Sequence, residues 1–370
     1  MAIFTDVLLD VTKNGRKLPT NEYKEFGLHP IIDQGQNDIA GYTDETNGLF
    51  SDVPAIIFGD HTRVIKYVDV PFFIGADGVK ILKAKGNKAN YKFLYYALSS
   101  AKIPNTGYNR HFKWLKEVDI PTYTEREQSQ IVSELDRITA LIDLRTEQLN
   151  KLDQLVKSRF VELFGDPMDN PMGWDRVNIS AVVGGKVSNG FFAKRDDYCD
   201  DGNVKVLGVA HVVNRMYSNT EDLPTTNGTE TDVAKYSVKY GDMLFCRSSL
   251  VAAGIGKASI VPQGTPNNVL FECHVIRLPL DLDKCVPEFM QVLSTTEYFR
   301  NQVIAQSKTA TMTTIGQDGI LKTDIILPPL EMQKQFLQFV EQTDKSKLAV
   351  QQSLEKLEIL KKSLMQQYFG

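Results

Sequence analysis

The sequence predicts an α+β protein in which two globular heads alternate with two long helices that pair as a coiled coil, and three observations lead there. Residues 119–165 align without a gap onto 324–370 at a constant offset of 205, with 12 of the 47 positions identical. Both copies carry the alternating three- and four-residue apolar spacing of a long helix that pairs with another. Each copy is preceded by a segment in which short apolar runs alternate with polar turns, the pattern of strands joined by loops. The resulting order is a head at 1–118, a helix at 119–165, a head at 166–323 and a helix at 324–370. Pairing of the helices within one chain would close it into a pseudo-two-fold, circular arrangement.

In the first head, VPAIIFGDHTRVIKYVDVPFFIG reads as strands around a polar turn at 59–63. ANYKFLYYALSSAK has helical spacing, and GYNRHFKWLKEVDI reads as a return to strand. Pro121 then breaks the chain ahead of the first long helix, whose acidic first turn (Glu125, Glu127) suits the positive helix end. Its seam runs through Leu135, Ile138, Ile142, Leu149, Leu152, Val156 and Leu163, with Arg145 and Arg159 where apolar residues are expected. The second head repeats the order behind a longer front: GDMLFCRSSLVAAGIGKASIV gives strand, turn and strand, PEFMQVLSTTEYFRNQV one helix, and TATMTTIGQDGILKTDI the lead-in.

The second long helix opens after Pro328 and Pro329 with Glu331 in its first turn. It has Val350 and Leu364 where the first has arginines, Leu354 and Leu357 on the shared seam, and Lys347 and Lys361 in place of Ile142 and Val156. Each helix is defective where the other is apolar. That favours pairing with each other, parallel or antiparallel, over homomeric coils. Both copies end in Phe-Gly, and Gly165 is placed to stop the first. About 40 helical residues would span on the order of 60 Å, roughly 18 base pairs of duplex.

A chain of 370 residues is long enough for two domains with their own cores. No apolar stretch reaches transmembrane length, and MAIFTDVLLDVTKNG lacks a secretory pattern. The four cysteines all lie in the second head without Cys-x-x-Cys spacing, and Cys273-His274 in VLFECHVIRL reads as a buried strand thiol rather than a metal ligand. These features predict a reduced, cytoplasmic protein with no membrane contact. The net charge of −4 argues against a lone nucleic-acid binder. Its distribution says more: residues 1–60 hold ten Asp/Glu against four Lys/Arg, whereas 61–116 hold two against eleven. Such a bias is what a phosphate-facing surface requires.

Polar turns between buried strands are where a rigid scaffold would present base-reading side chains. In the first head the candidates are His61, Thr62, Arg63, Tyr108, Asn109, Arg110, His111 and Lys113. In the second they are Lys194, Arg195, Arg247, Ser248, Ser249, Lys257, Lys308, Thr309 and Thr311, and Arg110 and Arg247 lead the set. No catalytic constellation accompanies them. The run 254–257 lacks Walker A spacing, 170–173 only partly matches an amino-methyltransferase motif, no Pro-Asp pair opens a nuclease motif, and the five histidines have no metal spacing. The chain is expected to be non-catalytic and metal-free, with any chemistry on a partner.

As a set, certain motifs resemble the specificity subunits of type I restriction–modification systems over nearly the whole length. They are Ile120-Pro121, the Glu127-Gln128-x-x-Ile131-Val132 helix start, the Leu163–Pro167 exit, Asn170-Pro171-x-Gly173-Trp174 and the 328–333 run PPLEMQ. The resemblance implies that each head is a target-recognition domain reading one half of a bipartite double-stranded DNA site. It implies that the helices set the spacer and dock two adenine-N6 methyltransferase subunits carrying S-adenosylmethionine, with restriction subunits joining that core. A seven-residue insertion within 138–160 should then change the spacer. The first head departs from the pattern, being some forty residues shorter and lacking the Gly-Trp opening. Two alternatives stand beside this reading: a specificity chain of another restriction–methylation type, and a coiled-coil scaffold that does not bind DNA.

Overall fold

The computed structural model describes residues 1–75, 77–86 and 88–370. The chain divides into two compact units, 1–147 with 351–370, and 148–350. Each unit therefore holds one head and a piece of both long helices.

In the first unit the chain order is β1 (Ala2–Ile3), α1 (Phe4–Val7), β2 (Leu8–Asp10), β3 (His29–Ile32), β4 (Gly41–Thr43), β5 (Ala55–Gly59), β6 (Ile65–Val68), β7 (Phe73–Ile74), β8 (Val79–Ala84), α2 (Tyr91–Ser99), α3 (Phe112–Leu115), β9 (Asp119–Ile120) and α4 (Glu125–Phe164). An antiparallel sheet in the order β2-β8-β5-β6 lies beside a smaller one, β4-β3-β7, in which β3 and β7 run parallel. The run AIIF in β5 is apolar throughout because both its faces are covered. Ile56 and Phe58 join the cluster under α2, and Ala55 and Ile57 join the cluster beneath the small sheet.

The second unit repeats this plan. Its elements are β10 (Asp175–Asn178), β11 (Ser188–Asn189), β12 (Val204–Leu207), α5 (Val209–Val212), β13 (Thr225–Thr226), α6 (Glu230–Tyr236), β14 (Asp242–Cys246), β15 (Ser248–Ser249), β16 (Ala258–Ile260), β17 (Val269–Phe271), β18 (Val275–Pro279), α7 (Pro287–Thr295), α8 (Glu297–Ala305), β19 (Lys308–Thr309), β20 (Thr313–Thr314), α9 (Gln317–Leu321), β21 (Asp324–Leu327) and α10 (Leu330–Phe369). Its main sheet is β11-β18-β14-β16 and its smaller one β13-β12-β17, again with one parallel pair.

The ladders locate the extra length of this head. Phe4 and Ile179 donate to Val118 and Thr323, and Ile31 and Val206 pair with Phe73 and Leu270, so both matches lie 175 residues apart. Ile56 and Met243, which face Leu82 and Leu278, are already 187 apart. Apart from the 166–174 lead-in, the front is thus no longer than in the first head. The growth comes in loops between strands, where added chain leaves the ladders intact.

Other expectations are also corrected. GYNRHFKWLKEVDI is not one strand but the short helix α3 followed by β9, and the helical segment 287–305 is broken into α7 and α8 at Thr296. Thr296 is the N-cap of α8, its Oγ1 accepting from Phe299 N. VLFECHVIRL is two strands around a turn that carries a half-buried Cys273.

Both long helices are 40 residues long. Thr124 and Glu127 form a reciprocal capping pair at the start of α4. Gln128 and Gln333, matched at the 205 offset, each fasten the helix start by donating to the carbonyl five residues back, that of Tyr123 and of Pro328. The helices run antiparallel within each unit. In the first, Ile131 and Leu135 near the start of α4 pack with Leu364, Met365, Tyr368 and Phe369 at the end of α10. In the second, Phe160 and Phe164 near the end of α4 pack on Phe336 near the start of α10, both at 5.7 Å between ring centres.

Along the seam, Leu135, Ile138, Val156, Val350 and Leu354 are buried, while Ile142, Leu149, Leu152, Leu357 and Leu364 are half-buried. Two of the basic seam positions, Arg159 and Lys347, have partners at its edge. Lys347 pairs with Asp153 at 2.5 Å, and Arg159 pairs with Glu162 and lies 5.8 Å over the Phe339 ring. The repeated Phe-Gly endings serve the heads. Phe164 packs edge-on against Phe289 of α7 at 4.9 Å, and Phe369 packs on Phe93 of α2 at 5.4 Å. Beyond Phe164, the Trp174 indole donates to its carbonyl and Gly165 takes φ +76. The Asn-Pro-x-Gly-Trp motif is therefore a helix-ending device.

Candidate nucleic-acid interface

Each head brings several of its predicted polar residues to one end of its main sheet, where three loops are clipped together. In the first head the clip is Asp60, which is buried. Its N–H donates to Gly78 O at 2.6 Å, its carbonyl accepts from His111 N at 2.7 Å, and its carboxylate caps α3 through Phe112 N at 2.7 Å. In the second head Arg247 stands in the same place. Its N–H donates to His274 O at 2.8 Å, its carbonyl accepts from Ile315 N at 3.0 Å, and its guanidinium donates to Cys273 O at 3.2 Å.

Around Asp60, Gln34 ties the tip by accepting from His61 N, donating to Asp77 O and taking the Thr62 hydroxyl on its carbonyl. The His61 ring stacks on Tyr108 at 4.6 Å and 7°, and Tyr108 is 86% exposed. Lys17 pairs with Asp77 at 2.7 Å, and that hydrogen bond holds the Asp77 carboxyl below its usual range, with Arg110 and His61 adding smaller pulls. Thr62, Asn109, Arg110 and Lys113 are exposed; Asn109 donates to Thr106 O and Lys113 lies 4.2 Å over the Trp114 ring. Arg63 is half-buried, with φ +63 and a long bond to Ile103 O. His111 is fully buried with Nδ1 3.0 Å from Asp60 O, so it holds the tip together and cannot reach DNA.

In the second head Ser248 and Ser249 (β15), Thr313 and Thr314 (β20) and Lys308 and Thr309 (β19) form a three-stranded ribbon that the first head lacks among its described residues. Thr311 lies exposed in its connecting turn. Lys194 and Arg195 are exposed on the loop after Phe191, which docks on Phe271 O. Arg247 is half-buried and engaged with the Cys273 carbonyl, so it acts first as a loop clip. Lys257 does not join the ribbon; its ammonium donates to Asn214 Oδ1 at 2.7 Å inside a cavity. Sequence reasoning missed Gln34 and Lys17, which no local pattern marks. It also missed Phe192, Leu250 and Val251, large apolar side chains left exposed around this tip.

Four of the eleven basic residues of 61–116 are paired: Lys66, Lys80, Lys83 and Lys92 with Asp33, Asp10, Asp52 and Asp136, so part of the bias is neutralised by acidic residues distant in sequence. Burial raises the thiol pKa of Cys246 and of Cys273, which disfavours the reactive thiolate. Among the described residues no group of His, Cys, Asp or Glu is arranged to hold a metal ion, and no helix is long and apolar enough to cross a membrane.

Two heads of one topology, each ending in clipped polar loops and each joined to antiparallel helices, define a duplicated, two-headed chain. The profile of the type I restriction modification DNA specificity domain matches residues 6–154 and 171–359. The chain belongs to that family. The specificity subunit of the Escherichia coli type I restriction enzyme EcoR124I/EcoR124II is 32% identical over 142 residues, 35% of each chain. That of StySPI from Salmonella potsdam is 25% identical over 244 residues, 61% of this chain and 50% of the relative. The matches thus span half or less of the length of these relatives. The S subunit of a type I system from M. genitalium shares the fold, with a TM-score of 0.56 at 13% identity over 100% of this chain and 95% of that one.

Proposed function

We propose that this chain is the DNA-reading, non-catalytic subunit of a type I restriction–modification complex, its two heads acting as target-recognition domains for the two halves of a bipartite site. The observation that carries this is the pair of clipped tips. The same three loops are bound by the same backbone bonds around Asp60 and Arg247, yet they present different side chains. A fixed frame with variable tips is what two half-sites of different sequence require. Phosphate contacts would set register, and the exposed cations Arg110, Lys113, Lys194, Arg195 and Lys308 would make them. The long helices would fix the spacer and dock two adenine-N6 methyltransferase subunits, which hold S-adenosylmethionine and flip the target adenines; restriction subunits would join the same core.

The test is co-expression with the neighbouring methyltransferase in an unmethylated host, followed by mapping of N6-methyladenine. A bipartite motif that appears only when both chains are present supports the reading. No new methylation, from a methyltransferase active with another specificity chain, contradicts it. Because the helices are antiparallel, the spacer role calls for seven residues inserted at matched levels of both. About 10 Å, or roughly three base pairs, should be added to the spacer.

A further inference from the structure

A cavity of about 380 Å³ in the second unit collects cations with almost no counter-charge. Lys157, Arg215, Lys257, Arg300 and Lys347 line it against one carboxylate, Asp153. Lys347 is already paired, with that carboxylate at 2.5 Å and with Asp344 at 3.8 Å. The others hold neutral partners at best: Lys257 the Asn214 side-chain oxygen, Arg215 the carbonyls of Ala210 and Val213, and Arg300 the carbonyl of Ala253 at 3.1 Å. The second terminal nitrogen of Arg300, Nη1, is buried and has no acceptor.

Clustered like charges repel, and a buried N–H without an acceptor is a cost. The chain as a whole is acidic, at −4, so a general positive charge does not explain the cluster. Nor does the fold: Ile65 and Ala258 occupy the same ladder position, and the matching cavity of the first head, about 200 Å³, has Arg63 as its one cation. A neutral acceptor would satisfy Arg300 Nη1 but would leave the repulsion among the cations unrelieved. A phosphate would relieve both, since its several oxygens can engage guanidinium forks and ammonium groups together.

We propose that this cavity binds a phosphate group, carried either on the DNA backbone or on a free nucleotide. The claim goes beyond the reading of the tips and does not depend on it.

The test uses the full chain and the double variant Arg215→Gln/Lys257→Gln, with inorganic pyrophosphate and ATP measured by calorimetry and duplex DNA binding measured across a salt series. Binding of pyrophosphate or ATP that weakens at least tenfold in the variant supports the site with a free nucleotide as source. No binding of either, with a DNA salt slope reduced by about two in the variant, supports it with the DNA backbone as source. Unchanged anion affinity together with an unchanged salt slope overturns it. Lys157→Gln, on an exposed α4 side chain, repeats the measurement should the double variant misfold. Lys308→Gln, on the tip ribbon, should alter DNA binding while leaving any pyrophosphate affinity intact. If the chain binds no DNA even with its methyltransferase present, the reading of the heads falls, and pyrophosphate or ATP binding alone decides the cavity.

Discussion

The hairpin that leaves β5 in the first head turns through residues 60–63 and closes on Arg63, whereas its counterpart in the second head runs through 247–256 and closes on Gly256. The closing bonds are the same. Arg63 N donates to Gly59 O and Gly256 N to Cys246 O, while Gly59 N and Cys246 N donate to Val64 O and Lys257 O. Both closing residues are left-handed, at φ +63 and +62. The ladder fixes the base of the loop and leaves its length and chemistry open. The second head uses that freedom to build a ribbon, and the first to stack His61 on Tyr108.

The sharpest test of the shared frame is at the helix ends. Phe164 is fully buried among Phe160, Phe289 and Phe336, so Phe164→Ala should cost about 3–5 kcal/mol in denaturant unfolding. Its counterpart Phe369 is half-buried, and Phe369→Ala should cost distinctly less. Equal losses would show that the two units do not depend on their helix ends in the way the packing indicates.

The hairpin closure comes next. A Cβ at Gly256 would sit 2.3 Å from Val303 Cγ1 in a left-handed backbone, so Gly256→Ala should cost more than about 2 kcal/mol. Arg63→Gly relieves a left-handed arginine while loosening the unfolded chain, and should change stability by less than about 1 kcal/mol. A large loss from Arg63→Gly would mean that its side chain, and not the turn, holds the first hairpin.

The smallest effect concerns a group particular to the second head. Burial raises the pKa of the Glu288 carboxyl, outweighing the hydroxyl donors of Tyr217 and Tyr240. A carboxyl whose folded pKa is raised favours folding at low pH and opposes it as pH rises from the unfolded value, about 4.3, through the folded one. Glu288→Gln should therefore raise the unfolding midpoint at pH 8, with the gain vanishing near pH 4. An advantage independent of pH would assign the effect to packing.

Much of the frame was legible because it rests on local repetition: the 205-residue offset, the heptad spacing, and the doubly covered strands around Phe58 and Phe245. What failed depends on distant partners. Residues 112–115 are helical because Asp60 caps Phe112, and His111 is buried for the same contact. The basic run is partly neutralised because Asp10, Asp33, Asp52 and Asp136, distant in sequence, fold against four of its lysines. Helix direction was open until aromatic packing at Phe336 and Phe369 set it. The loop tips carry no periodicity, so their chemistry was readable only as residue types.

If the two tips read separately, changing one must leave the other half-site untouched. Lys308→Ala/Thr309→Ala is to be introduced on the ribbon of the second head, and N6-methyladenine mapped with the partner methyltransferase. The account predicts that one half-site relaxes or changes while the other half and the spacer stay as they were. A change in both halves, or in the spacer alone, would contradict it.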